Sequence, residues 1–186
     1  AKVYCLKRTG YDGEYCLQLS QQQANYEPAE GDTCATSWVG NQNQDEPGVY
    51  EAMWEFLYDE EFPLRGLFLA SDVDFGGYDE PSQKCNRQFY PIVFGSLNGE
   101  VVIRSRDSKT YTVRGLCYIT EEYSDYASFV IKTDNAPIKL ENVNFENVHL
   151  EGYAYVGLLF SFLDFGTAIV EGLGNYDVSN VSVKDA

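Results

Sequence analysis

The sequence predicts a mainly β fold: a right-handed parallel β-helix, or β-solenoid, with one short amphipathic helix that caps or flanks its N-terminal end. A recurring pattern, a slip in side-chain alternation and a series of strand-sized apolar segments predict this class. The pattern reads apolar, any, Asn, Val, any, apolar, and it occupies 140–145, 145–150 and 178–183. Recurrence at a short spacing is typical of a chain that winds repeatedly.

The apolar residues around 146–147 change sides. The inward set is Val143 and Phe145, followed by Val148 and Leu150, so the alternation slips by one residue. A flat strand would then turn its buried side chains to water, whereas a bend between two faces accommodates the slip. Asn is enriched in the left-handed conformation that such bends use. We therefore expect bends at the repeated asparagines, which are Asn142, Asn147 and Asn180.

Three segments are predicted along the chain. Residues 1–47 form a cysteine-containing hairpin, with its turn at 8–13, followed by an irregular segment. Residues 48–62 form the helix, because apolar residues recur there every three or four positions and Pro47 suits a first turn. Residues 63–186 carry short apolar segments separated by Gly, Asn and Asp, which we interpret as β-solenoid coils. Since the last residues stop inside the repeat pattern, we expect truncation at the C-terminus.

Charge and hydropathy exclude several partners. The chain has 13 Lys and Arg against 29 Asp and Glu, a net charge of −16 that repels the phosphates of nucleic acids. No apolar run has the length of a membrane-spanning helix, so membrane insertion is not expected. The first residues lack the features of a signal peptide, and any export signal is expected to be absent from this sequence.

The cysteines favour disulfides over a metal. They lie at 5, 16, 34, 85 and 117, without CxxC spacing and with one histidine as a possible partner, which argues against zinc. Matching triplets around Cys5 and Cys16 predict a bond between these two, and Cys34 with Cys85 is the second predicted pair. Cys117 is expected to be a buried free thiol. Disulfides indicate a secreted or cell-surface protein, and reduced cysteines in a cytosolic protein are the alternative.

Four segments, taken together, resemble the GLUG-type β-helix repeats of bacterial surface and secreted proteins. They are Leu-Ala-Ser-Asp-Val-Asp-Phe-Gly-Gly at 69–77, Phe-Tyr-Pro-Ile at 89–92, the pair 94–99 and 111–116, and Tyr-Val-Gly-Leu-Leu-Phe at 155–160. Leu158, Phe160 and Ser161 depart from the motif. The resemblance implies a non-catalytic, adhesin-like module for adhesion or display, bound to a glycan or a host or cell-surface protein. A pentapeptide-repeat solenoid is the alternative, because apolar residues fall at every fifth position from 140 to 165.

Acidic residues provide a second functional hypothesis, a polysaccharide lyase or glycoside hydrolase. Asp72 and Asp74 point the same way on one strand, and Asp134 lies in Lys-Thr-Asp-Asn. No double-Asp, His-Gly or basic cluster accompanies them, so we interpret them as solvated acids and expect no enzyme. Asp79 and Glu80 extend the acids into a conceivable calcium site, but no calcium-loop spacing is present and no cofactor is expected. His149 is interpreted as a surface residue.

Tyrosines are the candidate ligand contacts. An exposed set of rings can stack on sugar faces or anchor a protein partner, although tyrosine also fills half-buried strand positions. The candidate rings are Tyr118, Tyr123, Tyr126, Tyr153 and Tyr155.

A third functional hypothesis is that the chain is a passive stalk or spacer of a larger surface protein.

Overall fold

A computed structural model gives the fold, and it describes residues 2–11, 13–40, 47–134, 136, 138–152, 155–161, 170–172 and 177–185. The first strands are β1 (Lys2–Tyr11), β2 (Glu14–Gln23), β3 (Thr33–Ala35), β4 (Leu64–Leu69), β5 (Val73–Asp74), β6 (Tyr78–Asp79), β7 (Lys84–Cys85), β8 (Ile92–Phe94), β9 (Val101–Ser105) and β10 (Tyr111–Arg114). They continue as β11 (Cys117–Ile119), β12 (Tyr126–Ala127), β13 (Val130–Lys132), β14 (Ile138–Glu141), β15 (Val143–Gly152), β16 (Tyr155–Val156), β17 (Leu159–Ser161), β18 (Val170–Gly172) and β19 (Asp177–Asp185). The helix α1 spans Val49–Leu57, and a short 3-10 turn spans Ser96–Asn98.

The N-terminal hairpin is confirmed. β1 and β2 pair antiparallel around a tight turn, with Tyr11 opposite Glu14. Gly13 has a φ of 82°, which a glycine adopts without the clash that a Cβ would cause. β3 pairs antiparallel with the other edge of β1, so the hairpin becomes a three-stranded unit.

The largest sheet is seven-stranded and mixed, in the order β18-β14-β9-β4-β2-β1-β3. Its antiparallel part is the N-terminal unit, and the strands from β2 to β18 pair in parallel. A second sheet has the order β11-β15-β10-β5, with β19 also paired to β15, and a third has the order β17-β13-β8. Two small sheets complete the described part: β12 with β16 in parallel, and β6 with β7 antiparallel.

The prediction of a right-handed parallel β-helix is wrong: the described residues form a mainly β fold of mixed sheets with one α-helix. Sequence repeats occur only beyond residue 140, and they carry no information about residues 2–35. Those residues form two ten-residue strands whose antiparallel pairing is set by a local turn. β2 then offers its free edge to β4, which makes the largest sheet mixed.

The helix is confirmed, but it is shorter than predicted. It begins at Val49 and ends at Leu57, and its buried side chains are Val49, Met53 and Leu57. This face packs on β1 and β3, so the helix covers the N-terminal unit. Gly48 precedes it in close contact with the backbone of 38–40, where a Cβ would lie 2.4 Å from the Trp38 carbonyl oxygen.

Bends at asparagine are confirmed at two of the predicted positions. Asn142 has a φ of 55° and Asn147 a φ of 54°, both in the left-handed region. Asn147 divides β15 between the part that pairs with β10 and the part that pairs with β11. Gly115 bends the neighbouring chain between those strands, with a φ of 70°. Asn180 lies within β19.

The predicted disulfide pairs are wrong. The bonds join Cys5 to Cys34 and Cys85 to Cys117, and Cys16 is a buried free thiol. The hairpin register explains the first difference, because the turn places Cys5 opposite Ser20 rather than Cys16. Cys5 instead lies directly opposite Cys34 across β1 and β3.

Candidate functional site

Aromatic side chains form a continuous line of ring contacts from α1 to β11, which we call the aromatic row. Its members are Tyr58, Trp54, Tyr50, Tyr90 and Tyr118. Successive ring centroids are 5.0, 6.1, 5.7 and 6.0 Å apart in that order. Trp54, Tyr58 and Tyr90 are 45, 57 and 42 % exposed. Three of the five rings therefore present large apolar surfaces to solvent, and Tyr50 and Tyr118 are half-buried.

Helix geometry places three of the five rings of the row. Tyr50, Trp54 and Tyr58 are spaced four residues apart, and side chains at that spacing share one face of a helix. The buried residues Val49, Met53 and Leu57 occupy the adjacent face. Trp54 and Tyr58 are therefore exposed, while Tyr50 lies at the boundary with the buried face and is half-buried.

Trp38 supports the row from below. It is 3 % exposed, its ring stacks on Phe89 at 5.2 Å, and it contacts Tyr50 at 6.3 Å. Its Nε1 donates a hydrogen bond of 3.1 Å to the carbonyl oxygen of Tyr90. A buried indole with its one donor satisfied is a fixed support. The middle of the row is consequently held to the hydrophobic core.

Tyr118 forms the β11 end of the row. Its hydroxyl donates a hydrogen bond of 3.3 Å to Asp125. Burial, followed by the nearby Asp125 carboxylate, raises the pKa of Tyr118 to about 12. The side chain is therefore a neutral phenol throughout the physiological range.

The predicted tyrosines only partly coincide with the row. Tyr118 belongs to it, Tyr123 is 72 % exposed and lies outside it, and Tyr126 is half-buried in β12. Of Tyr155 the structure gives its position in β16, and Tyr153 lies outside the described residues. The helical members and Tyr90 were missed. The i, i+4 spacing of aromatic residues beside the apolar helix face is the signal that identifies the helical ones.

A cleft of about 330 Å³ lies where β5, β10 and β15 bend; we call it the bend cleft. Its floor is backbone, from Gly76, Gly77 and Gly115. A Cβ at Gly115 would lie 2.8 Å from the Gly77 nitrogen and 2.9 Å from Asp74 Oδ1. The side chains that line it include Asp74, Tyr78, Glu80, Arg114, Asn147 and His149.

His149 lies in this cleft under a tyrosine, so its interpretation as a surface residue is wrong. It is 5 % exposed, and the Tyr78 ring stacks on it with a centroid distance of 3.6 Å and an interplanar angle of 4°. Its Nε2 lies 2.6 Å from Glu151 Oε2. Strand parity correctly turns His149 away from the core, but the β6–β7 hairpin then covers it. That cover is a long-range contact, which strand alternation does not reveal.

Arg114 is the cation of the bend cleft. Its Nη2 lies 2.8 Å from Glu146 Oε2, and its Nε donates to the same oxygen at 3.0 Å. In register, Arg114 stands between Asp74 on β5 and Glu146 on β15. A carboxylate, a guanidinium and a second carboxylate thus lie side by side on three neighbouring strands.

The predicted acidic candidates do not share a site. Asp72 Oδ1 accepts a hydrogen bond from the Thr112 N–H at 2.8 Å, and Asp74 Oδ1 accepts one from the Gly76 N–H at 2.8 Å. Asp134 lies 2.6 Å from the Nζ of the buried Lys132. Of the three, Asp74 alone lines the bend cleft. In the described part of the chain, His, Cys, Asp and Glu form no group of three or more that could hold a metal ion.

The two disulfides indicate an oxidising, extracellular environment. Among the described residues, no helix has both the length and the apolar character needed to cross a bilayer. Compared with known proteins, the chain matches no family model, no curated protein and no solved structure.

Proposed function

We propose that the protein is a secreted or cell-surface module that binds a neutral polysaccharide along the aromatic row. The observation that carries this proposal is the unbroken line of ring contacts from Tyr58 to Tyr118. Large exposed aromatic surfaces are unusual on a protein that does not bind something there. The binding is non-catalytic, and it serves adhesion or display.

The shape of the row favours a linear glycan over a protein partner. Ring centroids follow one another at 5.0 to 6.1 Å, and such a succession of rings suits a chain of repeating flat units. A protein partner would be favoured by a rounded cluster with a central buried anchor. Tyrosine and tryptophan combine an apolar face with a polar edge, which matches the C–H faces and hydroxyl edges of sugars.

The charge of the chain selects the class of glycan. The net charge is −16, and α1 carries Glu51 and Glu55 as exposed acids beside the row. A surface of this sign repels uronate and sulfate groups. We therefore expect binding to neutral glucans, xylans, mannans or galactans and weak binding to their anionic counterparts.

Affinity electrophoresis and depletion assays on a panel of neutral and anionic polysaccharides test the proposal. Trp54→Ala removes an exposed ring from the row, and we expect its affinity to fall about fivefold or more, since one stacked ring is worth about 1–3 kcal/mol. Tyr90→Ala should act in the same direction.

The matched control is Tyr123→Ala, which removes an exposed tyrosine outside the row and should leave the affinity unchanged. Absence of binding to every neutral polysaccharide would refute the proposal and leave the spacer hypothesis. Equal affinities of Trp54→Ala and the unmodified protein would show that binding occurs elsewhere.

A further inference from the structure

The bend cleft holds two side chains that are each oriented by a carboxylate. Glu151 accepts from His149 Nε2 at 2.6 Å, and Glu146 binds Arg114 through its Nε and Nη2. Since an ionised carboxylate only accepts hydrogen bonds, Nε2 carries a proton, and in the neutral imidazole Nδ1 is then the nitrogen with the lone pair. His149 and Glu151 both lie on β15, whereas Arg114 on β10 pairs with Glu146 on β15. His149 and Arg114 line the same space.

Each of these two side chains has one nitrogen that makes no hydrogen bond: Nδ1 of His149 and Nη1 of Arg114. His149 Nδ1 makes no hydrogen bond, although no fully buried side-chain N or O among the described residues lacks a partner. Nδ1 is therefore not completely buried, and the bend cleft is the space that His149 lines. Arg114 likewise makes no hydrogen bond through Nη1, and its side chain is 41 % exposed. A base and a cationic donor thus face one cleft.

Size and charge define the ligand. A volume of about 330 Å³ lies at the small end of ligand sites. Asp74 and Glu80 also line the cleft, so it repels phosphates and carboxylates. A neutral, oxygen-rich group fits these conditions, and the carbonyl of a carboxylic ester is such a group.

We propose that the bend cleft is a hydrolytic site for neutral carboxylic esters, such as acetyl groups on sugar hydroxyls. His149 is the general base and Arg114 is the oxyanion donor; both are catalytic residues. Glu151 and Glu146 are positioning residues. This inference is independent of the aromatic row, because it uses other side chains on other elements.

The reaction needs only water and the ester. His149 Nδ1 takes a proton from water while the water oxygen bonds to the ester carbonyl carbon. The oxyanion that forms accepts a hydrogen bond from Arg114 Nη1. The bond between that carbon and the alkoxy oxygen then breaks, and the Nδ1 proton moves to the leaving oxygen. The products are a carboxylic acid and an alcohol, and the imidazole is returned neutral.

The full chain is incubated with O-acetylated xylan, O-acetylated mannan and acetylated glucose, and released acetate is measured by proton NMR. We expect acetate release well above that of heat-denatured protein. His149→Gln should lower kcat about 100-fold or more, the contribution of a general base. Arg114→Gln should lower it to a similar extent.

Two substitutions of Glu151 keep the inference testable if His149→Gln does not fold, and a third variant is the control. Glu151→Gln should lower kcat at unchanged KM, with partial recovery in Glu151→Asp, which a purely structural role would not produce. Arg106→Gln removes an exposed arginine outside the cleft and should leave the rate unchanged.

Acetate release no higher than the denatured control on all three substrates overturns the inference. Wild-type rates in both Arg114→Gln and Glu151→Gln overturn it as well. Trp54→Ala distinguishes the two proposals, because it should weaken polysaccharide binding and leave the hydrolysis of acetylated glucose unchanged.

Discussion

Removing the Cys85–Cys117 disulfide is expected to destabilise the fold by about 3.7 kcal/mol. The bond closes a loop with a sequence separation of 32. Restricting an unfolded chain by such a loop lowers its entropy by about 12 cal/mol/K, which is about 3.7 kcal/mol at 25 °C. The double variant Cys85→Ala/Cys117→Ala isolates this effect, and urea unfolding followed by circular dichroism measures it.

The same variant should uncover His149. Tyr78 lies opposite Cys85 in the β6–β7 hairpin, and Cys117 lies opposite His149 in the sheet. The disulfide therefore links the strand that carries the tyrosine to the strand beside the histidine. Without it, we expect the hairpin to move and the ring stack to loosen.

The sequence contains one histidine, so its imidazole protons are unambiguous in a proton NMR spectrum. In the intact protein we expect the stacked Tyr78 ring to shift these signals upfield, and in the double variant they should move toward the values of an exposed histidine. The control Cys5→Ala/Cys34→Ala removes a bond of sequence separation 29, with a similar expected loss of about 3.6 kcal/mol. It should leave the histidine signals in place. A loss below about 1 kcal/mol together with unmoved histidine signals would refute this reasoning.

Other regions give separate predictions. Burial raises the pKa of Cys16 to about 11, so at pH 8 only about 0.1 % of this side chain is thiolate. Ellman's reagent should label the thiol in urea and not in the native protein, and rapid labelling of the native protein would contradict its burial. Arg8 lies 4.9 Å from the Phe62 ring centroid and 2.8 Å from Asp59 Oδ2. Arg8→Ala should lower the free energy of unfolding by about 1 kcal/mol because the ring contacts are lost, and Arg8→Lys should have an intermediate effect. An unchanged urea midpoint in Arg8→Ala would contradict this expectation. Gly115→Ala should destabilise the fold by clearly more than Gly31→Ala, because both glycines have a positive φ but of the two only Gly115 lacks space for a Cβ. Equal urea midpoints of the two variants would show that the backbone around Gly115 moves to accommodate the Cβ.

Local patterns predicted local structure well. The hairpin follows from a turn-rich segment between two apolar strands, and α1 from its three- and four-residue spacing. The bends at Asn142 and Asn147 follow from a one-residue slip in parity. Each of these features is decided by neighbours in the sequence, which is why the sequence alone predicts it.

Such patterns did not predict the pairings between segments that are distant in the sequence. Cys5 and Cys16 lie in matching triplets, yet the turn shifts the register so that Thr9 faces Cys16. His149 has the parity of a surface residue, but Tyr78 from a distant hairpin covers it. The row illustrates the same limit, because Tyr90 and Tyr118 meet through folding and not through spacing. Tertiary contacts decide these features.

Strand β11 connects the two candidate sites. The alternation of its side chains between the two sides of the strand explains how it contributes to both sites. Cys117 and Tyr118 are consecutive, so they point to opposite sides of the strand. Cys117 holds the β6–β7 hairpin over the bend cleft, while Tyr118 ends the aromatic row. Hydrogen bonds from the Phe89 N–H to the Cys117 carbonyl oxygen and from Trp38 to the Tyr90 carbonyl oxygen hold the row without the disulfide. Loss of that bond should thus disturb the cleft and spare the row, which makes the two sites separable within one folded protein.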